Sequence, residues 1–243
     1  KGTEVRTGTQ YTPDGSPNLS DLTFLPKAGF TGSVQIGYEG TDSRGKTFRG
    51  QIRIQVNQGS GSRYFQDMGS DAWAAPYVDL LYEAGVITGT GGQRYRPADA
   101  VSRGDFMLML YRAFQLTPAS GAGFPDVPPG SYYAQAIQAA RAAGIASGYP
   151  DGGFHPQEPV TRQDAMVLLE RTMQATGWSL GAANTGYLSG FRDGGMVAPY
   201  AQEAMSHMIE YGIITGTPEQ KLNPIQSISR AEMAVMLARA ITF

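Results

Sequence analysis

Three arginines in this chain stand in one local pattern: Ser102-Arg103-Gly104-Asp105, Thr161-Arg162-Gln163-Asp164 and Ser229-Arg230-Ala231-Glu232. A hydroxyl followed three residues later by a carboxylate has the spacing of a helix capping box. The hydroxyl accepts from an early backbone N–H, and the carboxylate reaches back to the N–H of the cap. That accounts for the hydroxyl and the acid, but not for the arginine between them. The arginine falls on the first helical position, where the helix dipole already places about half a positive charge. An anion would offset this repeated cost, since free helix-start amides and a planar guanidinium together suit a carboxylate. The other reading is internal. Each arginine could pair with an acid such as Asp67, Asp126 or Asp193 and tie neighbouring segments together. The residues alone leave both open, and the two are not exclusive.

The elements that carry these residues repeat as a set. Phe65-Gln66-Asp67 returns as Phe124-Pro125-Asp126 and Phe191-Arg192-Asp193, and Trp73 returns as Tyr132 and Tyr200. Ala84-Gly85-Val86-Ile87-Thr88-Gly89 returns at Ala143–Gly148 and, beginning with tyrosine, at Tyr211–Gly216. Tyr95-Arg96-Pro97 returns as Phe154-His155-Pro156 and Leu222-Asn223-Pro224. The first offset is 59 at every landmark; the second is 67 at Phe-x-Asp and 68 afterwards, which places one inserted residue within Gly194–Pro199. A register held over five landmarks is a true repeat. Each unit reads as helix, turn, loop, helix. Tyr77, Val78, Leu81, Tyr82 and Val86 fall at helical spacing, with Gly85 placed for a left-handed helix end. The second helices carry Phe106, Met107, Leu110 and Tyr111, then Met166 and Leu169, then Met233 and Leu237. One such helix pair cannot bury its own apolar face, so three must share a core. The expected fold is mainly α, a closed pseudo-threefold bundle with units at 64–120, 121–188 and 189–243.

Residues 1–58 have a different texture. Ser33–Tyr38 and Thr47–Val56 alternate apolar and polar around a polar Glu39–Lys46 segment, which predicts a β-hairpin. The preceding "LTFLPKAGFTG" reads as another short strand and turn. Over residues 20–57 this portion resembles the later half of bacterial cadherin-like or immunoglobulin-like repeats, so 1–58 is expected to be a small β module, whole or partial. Residues 59–63 read as a flexible linker. No apolar leader segment opens the chain, which is expected to begin inside a mature protein.

The threefold set of Phe-x-Asp, aromatic, Gly-Ile/Val-x-x-Gly, aromatic-x-Pro and Ser/Thr-Arg-x-Asp/Glu resembles the surface-layer homology (SLH) domain triplet over about residues 64–243. That resemblance implies a three-pronged spindle around a central helical bundle and non-covalent anchoring to the bacterial envelope. In Gram-positive relatives it implies a partner: a secondary cell-wall polysaccharide with pyruvate ketals on N-acetylmannosamine. The family's key arginine falls on Arg103, Arg162 and Arg230, and its grooves lie between adjacent repeats, so each site should draw on two units. A pyruvate ketal presents one carboxylate on a small methyl-bearing ring. Trp73, Tyr132 and Tyr200 are candidates for an aromatic wall beside it, or for core. Asp67, Asp126 and Asp193 are candidates to accept sugar hydroxyls, or to cap first helices. Gly89, Gly148 and Gly216 could let backbone approach the sugar, or serve as turn residues. Gly104 weakens its helix start by up to about 1 kcal/mol relative to alanine. The middle unit keeps closest to the family pattern, so a groove using Arg162 is expected to bind first.

Other function classes find little support. A net charge of −2 and a pI near 5.7 argue against sequence-independent nucleic-acid binding, which needs a basic face. No apolar run of about 18 residues exists to insert in a membrane. With 0 cysteines there is neither a disulfide framework nor a thiolate metal site. His155 and His207 occupy unrelated positions, so no enzyme, cofactor or metal centre is expected. "DGGFHPQE" lacks the alternating oxygens of a calcium loop. Self-association of a surface-layer protein through these repeats, without direct glycan contact, is the rival reading. A catalytic domain upstream of Lys1 is compatible with either.

Overall fold

The computed structural model describes residues 32–41, 45–56, 61–121 and 123–242. Near the N-terminus, β1 (Gly32–Thr41) pairs antiparallel with β2 (Thr47–Val56), with Val34 opposite Ile54 and Ile36 opposite Ile52. The pairing runs three residues beyond the predicted Tyr38, because Glu39 faces Arg49 across the strands and the two ion-pair at 2.7 Å. A cross-strand charge pair lets polar residues extend a ladder that alternation alone would end. The strand expected in "LTFLPKAGFTG" and the rest of residues 1–31 lie outside the described residues.

Among the described residues six α-helices follow, two per unit: α1 (Ala75–Glu83) and α2 (Arg103–Ala113), α3 (Ala134–Ala142) and α4 (Arg162–Ala175), and α5 (Gln202–Glu210) and α6 (Arg230–Thr242). Each first helix ends beside a glycine in the left-handed region: Gly85 at φ +69°, Gly144 at +72° and Gly212 at +67°. Ser102, Thr161 and Ser229 cap the second helices, their hydroxyls accepting from the amides of Asp105, Asp164 and Glu232 at 3.1, 3.2 and 3.2 Å. Among the described residues, only Glu232 also reaches back to its cap, accepting from the Ser229 amide at 2.9 Å. The predicted reciprocal box is therefore complete in unit three alone. Asp105 and Asp164 are a methylene shorter and engage elsewhere.

The three units close into a ring. Just before each second helix, a short extended segment meets the other two. The amide of Val101 donates to the carbonyl of Ile228 at 3.0 Å, Ile228 to Val160 at 3.1 Å, and Val160 to Val101 at 2.9 Å. All three side chains are buried and apolar, so the bonds lie in a dry centre. An open solenoid would leave unit three facing away from unit one; here Ile228 joins them. Around this axis one core gathers Met107, Leu110, Met166, Leu169, Met233 and Leu237 from the second helices, as their spacing predicts.

Two local departures have physical causes. Ser62 and Arg63, assigned to a flexible linker, are docked on α1. The Ser62 hydroxyl and the Arg63 amide both bond Asp79, and Arg63 ion-pairs with Glu83 at 2.8 Å. Gly104 is a packing device as well as a weak helix former, since a Cβ there would lie 3.0 Å from both the Pro156 carbonyl oxygen and the Tyr133 ring. Buried His207 of α5 bonds Glu170 of α4 and lies 3.2 Å from the carbonyl of Gly181, which holds the segment before unit three to both helices.

Candidate functional site: three arginine junctions on the ring

The loop of each unit is built around a left-handed residue. Arg96, His155 and Asn223, the middle residues of the aromatic-x-Pro triplets, have φ of +58°, +58° and +53°. The aspartate of Phe-x-Asp holds them there. Asp67 accepts from the amides of Tyr95 and Arg96 at 2.8 Å each, and Asp126 from Phe154 at 2.9 Å and His155 at 2.7 Å. Asp193 does the same for Leu222 at 2.7 Å and Asn223 at 2.8 Å. Burial pushes the Asp67 and Asp126 carboxyls up, but these backbone bonds outweigh it and leave both below the usual aspartate range. Both carboxylate oxygens of each aspartate are thus committed to its own loop. None of the three ion-pairs with a helix-start arginine among the described residues, so the internal pairing considered from sequence does not run through them.

Gly89, Gly148 and Gly216 serve the same loop. A Cβ would lie 2.6, 2.6 and 2.5 Å from the rings of Phe65, Phe124 and Phe191, the first residues of the Phe-x-Asp triplets. The close approach these glycines permit is to their own unit's phenylalanine.

Each loop presents its carbonyls to the preceding unit's second helix. In unit two, the Glu158 and Pro156 carbonyls accept from the amides of Arg103 and Gly104 at 2.9 Å. In unit three, Gln226 and Pro224 accept from Arg162 and Gln163 at 2.8 and 2.9 Å. Unit one completes the cycle, with Asp99 and Pro97 accepting from Arg230 and Ala231 at 2.9 Å. With the cap hydroxyl on the third amide, the helix-start N–H groups are occupied. This corrects the expectation that free amides would join the guanidinium in holding an anion; any such role falls to the guanidinium N–H groups.

Those guanidinium groups differ. The Nε of Arg103 donates to the Phe154 carbonyl at 3.1 Å and that of Arg230 to the Tyr95 carbonyl at 2.7 Å. Arg103 lies 4.7 Å from the Tyr149 ring centre and 5.0 Å from that of Phe154, and Arg230 lies 4.6 Å from that of Tyr95, within cation–π range. Arg230 also donates from Nη2 to the Thr88 carbonyl at 3.1 Å. Arg162 faces Leu222 at the equivalent place, which offers no π face. Its Nη1 instead bonds Glu232 at 2.8 Å, and its Nε is buried with no partner among the described residues. The acid corresponding to Glu232 at the Arg103 junction is Asp164, 4.0 Å from Nη1.

The aromatic series sits over these acids. Tyr132 donates to Asp105 and Tyr200 to Asp164, each at 2.7 Å, while the rings stay 67% and 61% exposed. Burial first, then the bond to the acid, pushes both phenols up to about 12. Trp73, 37% exposed, has no hydroxyl to offer. The Arg103 junction gathers Arg103 from unit one, Phe154, Tyr149 and Asp164 from unit two and, through Asp164, Tyr200 from unit three. Tyr149, 38% exposed, was not selected from the sequence. The available signal was the residue after each motif glycine, Thr90, Tyr149 and Thr217, where only the middle unit is aromatic. A second arginine series was also missed. Arg112, Arg171 and Arg239 donate to the carbonyls of Val86, Ile145 and Ile213 at 3.4, 3.3 and 3.1 Å, tying each unit's two helices together.

Two surface hollows lie around Thr90–Arg96 and around His155–Glu158, and neither is lined by Arg103, Arg162 or Arg230. Among the described residues no cluster of His, Asp and Glu could hold a metal ion, and no helix is long and apolar enough to cross a membrane.

The S-layer homology domain profile matches residues 64–107, 123–166 and 190–234, each time from around the Phe-x-Asp clamp to the opening of the second helix. The chain belongs to the S-layer homology family. The three SLH matches contain Arg103, Arg162 and Arg230 together with the aspartates, aromatics and glycines singled out from sequence as site candidates. Curated relatives include an endoglucanase of Bacillus sp. (strain KSM-635), 28% identical over 72% of this chain and 18% of its own length. The surface-layer 125 kDa protein of Lysinibacillus sphaericus is 29% identical over 70% of this chain and 14% of its own length. An S-layer protein of Bacillus thuringiensis subsp. finitimus is 25% identical over 74% of this chain and 21% of its own length. The chain spans less than a quarter of the length of these relatives. Its SLH repeats place it at the cell surface, associated with the cell wall, where such repeats act as anchors.

Proposed function

We propose that the SLH triplet anchors its protein by binding an anionic secondary cell-wall polysaccharide, with pyruvate ketal carboxylates on N-acetylmannosamine received at the arginine junctions. One observation carries this reading. Arg103 forms no hydrogen bond to any acid among the described residues; its nearest acid oxygen is 4.0 Å away, and its only side-chain hydrogen bond goes through Nε to a carbonyl. A guanidinium held by a carbonyl and two rings, 9% exposed and with no hydrogen bond from its terminal nitrogens among the described residues, keeps donors that suit a carboxylate. Tyr149 and Tyr200 supply a half-open aromatic surface against which the methyl side of a ketal can pack.

The aspartates and glutamates at the repeated positions serve loop bonds, helix caps and ion pairs, and the chain is proposed to bind and not to catalyse. Residues 1–58 are proposed to be a β-rich spacer of cadherin-like or immunoglobulin-like kind.

Titration calorimetry with a pyruvylated N-acetylmannosamine oligosaccharide, and with the same sugar stripped of its ketal, tests the proposal. Wild type should bind the first and lose roughly tenfold or more in affinity on the second, the scale of one charge-assisted hydrogen bond. Equal affinity for both would remove the carboxylate from the mechanism. Self-association predicts the opposite pattern, with Arg103→Ala changing oligomer size and sparing glycan binding.

A further inference from the structure

We infer that the three junctions are not equivalent anion sites: Glu232 closes the one at Arg162, leaving those at Arg103 and Arg230 to receive a carboxylate. The inference rests on the proposed function and specifies which copies of the site operate. It runs against the expectation from motif likeness that the Arg162 groove binds first.

The difference is written in two residues per junction. At the Arg103 junction the acid is Asp164, and Tyr200 holds it by an O–H···O bond of 2.7 Å. The short side chain and its tyrosine keep the carboxylate 4.0 Å from the guanidinium. By the same rotation, Asp105 is the acid for the Arg230 junction. Tyr132 holds it at 2.7 Å, and Arg230 makes no ion pair with it among the described residues; its side-chain bonds go to the carbonyls of Tyr95 and Thr88. At the Arg162 junction both restraints are missing. The acid is glutamate, a methylene longer, and the aromatic in the tyrosine's place is Trp73, which has no hydroxyl with which to hold a carboxylate back. Glu232 reaches Arg162 at 2.8 Å, its other oxygen anchored by the Ser229 amide at 2.9 Å. Arg162 has given up the carbonyl bond that both counterparts make, and its Nε is left buried without a partner.

A carboxylate ligand at Arg162 must displace an internal carboxylate already fixed by a backbone amide, and must bring two anions together if it does not. At Arg103 the internal acid is 4.0 Å away and hydrogen-bonded to Tyr200, and at Arg230 no ion pair with Asp105 forms among the described residues, so at neither must a hydrogen-bonded carboxylate be displaced. The internal pair is about one-third exposed on the glutamate side, so it competes as a solvent-screened pair and not as a sealed one. That is enough to rank the junctions, because the competitor is intramolecular and always present.

The experiment is calorimetric stoichiometry with the pyruvylated sugar, joined to ¹⁵N NMR of arginine Nε groups titrated with pyruvate alone. Wild type should saturate with shifts at Arg103 and Arg230 and none at Arg162. Arg162→Ala should change affinity less than about twofold, whereas Arg103→Ala and Arg230→Ala should each remove a site, costing about tenfold or more at that junction. Glu232→Gln should add the Arg162 junction to the stoichiometry and bring its Nε into the pyruvate response. Glu232→Asp, the residue both counterparts carry, should do the same and keeps a charged acid at the helix start if the glutamine weakens α6. Carboxylate-dependent binding in which Arg162→Ala costs as much as Arg103→Ala, or in which neither Glu232 variant adds a site, overturns the inference and spares the proposed function. Binding that ignores the ketal, or no arginine shift with pyruvate, overturns the proposed function and this inference with it.

Discussion

At the scale of single residues, the repeated motif letters divide into those that build the loop and those that face outward. Asp126 belongs to the first class. Replacing it with alanine strips two loop amides of a charged acceptor, at a cost of about 2–4 kcal/mol. The measurement is the shift in denaturant midpoint, and loss of under about 0.5 kcal/mol would show that the clamp is dispensable. Gly148→Ala should also destabilise by about 1–3 kcal/mol, because the new methyl meets the Phe124 ring at 2.6 Å and the Gly153 carbonyl at 2.9 Å, at a φ of +78°. His155 gives a pH-dependent signature. Its Nε2 bonds Asp151 at 2.8 Å and its Nδ1 bonds Glu158 at 3.0 Å, and the Asp151 bond, followed by that of Glu158, raises its pKa. A base whose folded pKa is raised stabilises fully below its unfolded value near 6.5, and that contribution fades as pH rises through the folded value. Asp151, lowered by its Gly153 amide bond and by His155, stabilises above its own unfolded value near 3.9. His155→Asn, which suits the left-handed φ of +58°, should therefore lower the melting temperature at pH 5.5–6 and match wild type by about pH 8.5. A difference that grows with pH would contradict the sign.

At the scale of elements, the three second helices begin alike in sequence but not in structure. Thr161→Ala should cost about 1 kcal/mol, the ordinary loss of a cap hydroxyl. Ser229→Ala should cost about as much, although Glu232 there also bonds the backbone amide of the cap, because a serine-to-alanine change keeps that amide. The informative contrast is Glu232→Gln against Asp164→Asn, read as thermal stability. Glu232→Gln loses an ion pair to Arg162 with a length of 2.8 Å, whereas Asp164→Asn loses one of 4.0 Å, so the first should be the more destabilising. The reverse order would mean that the Tyr200 bond to Asp164 matters more than the ion pair.

At the scale of the whole molecule, closure is the main fact. Three amide-to-carbonyl bonds among Val101, Val160 and Ile228, and three helix starts each seated on a neighbouring loop, make every unit depend on both others. Unfolding of the repeat region should be a single cooperative transition. Truncation after residue 188 leaves the Val101 amide and the Val160 carbonyl without partners in a dry centre and exposes a face of the shared core. The two remaining units should lose cooperative folding, seen as a broad transition and dye-accessible apolar surface. Retention of a sharp transition would indicate a solenoid-like additivity of units instead.

Sequence alone determined a good deal here. The constant offset of 59 established the repeat, the helical spacing marked the core faces, and the glycines after the first helices marked their ends. These are local properties, set by backbone conformation and by which residues can lie on one face of a helix. It also showed that arginine at a helix start needed compensation. What supplies that compensation depends on groups distant in sequence, and only the tertiary structure decided it. The Phe154 carbonyl beneath Arg103, the Asp164 carboxylate drawn aside by Tyr200, and the Glu232 carboxylate that reaches Arg162 lie 51, 61 and 70 residues from the arginine they affect. Whether a helix-start arginine is met by an internal carboxylate at hydrogen-bond distance depends on one methylene and one hydroxyl, brought together by the ring, and no local pattern in the chain records that meeting.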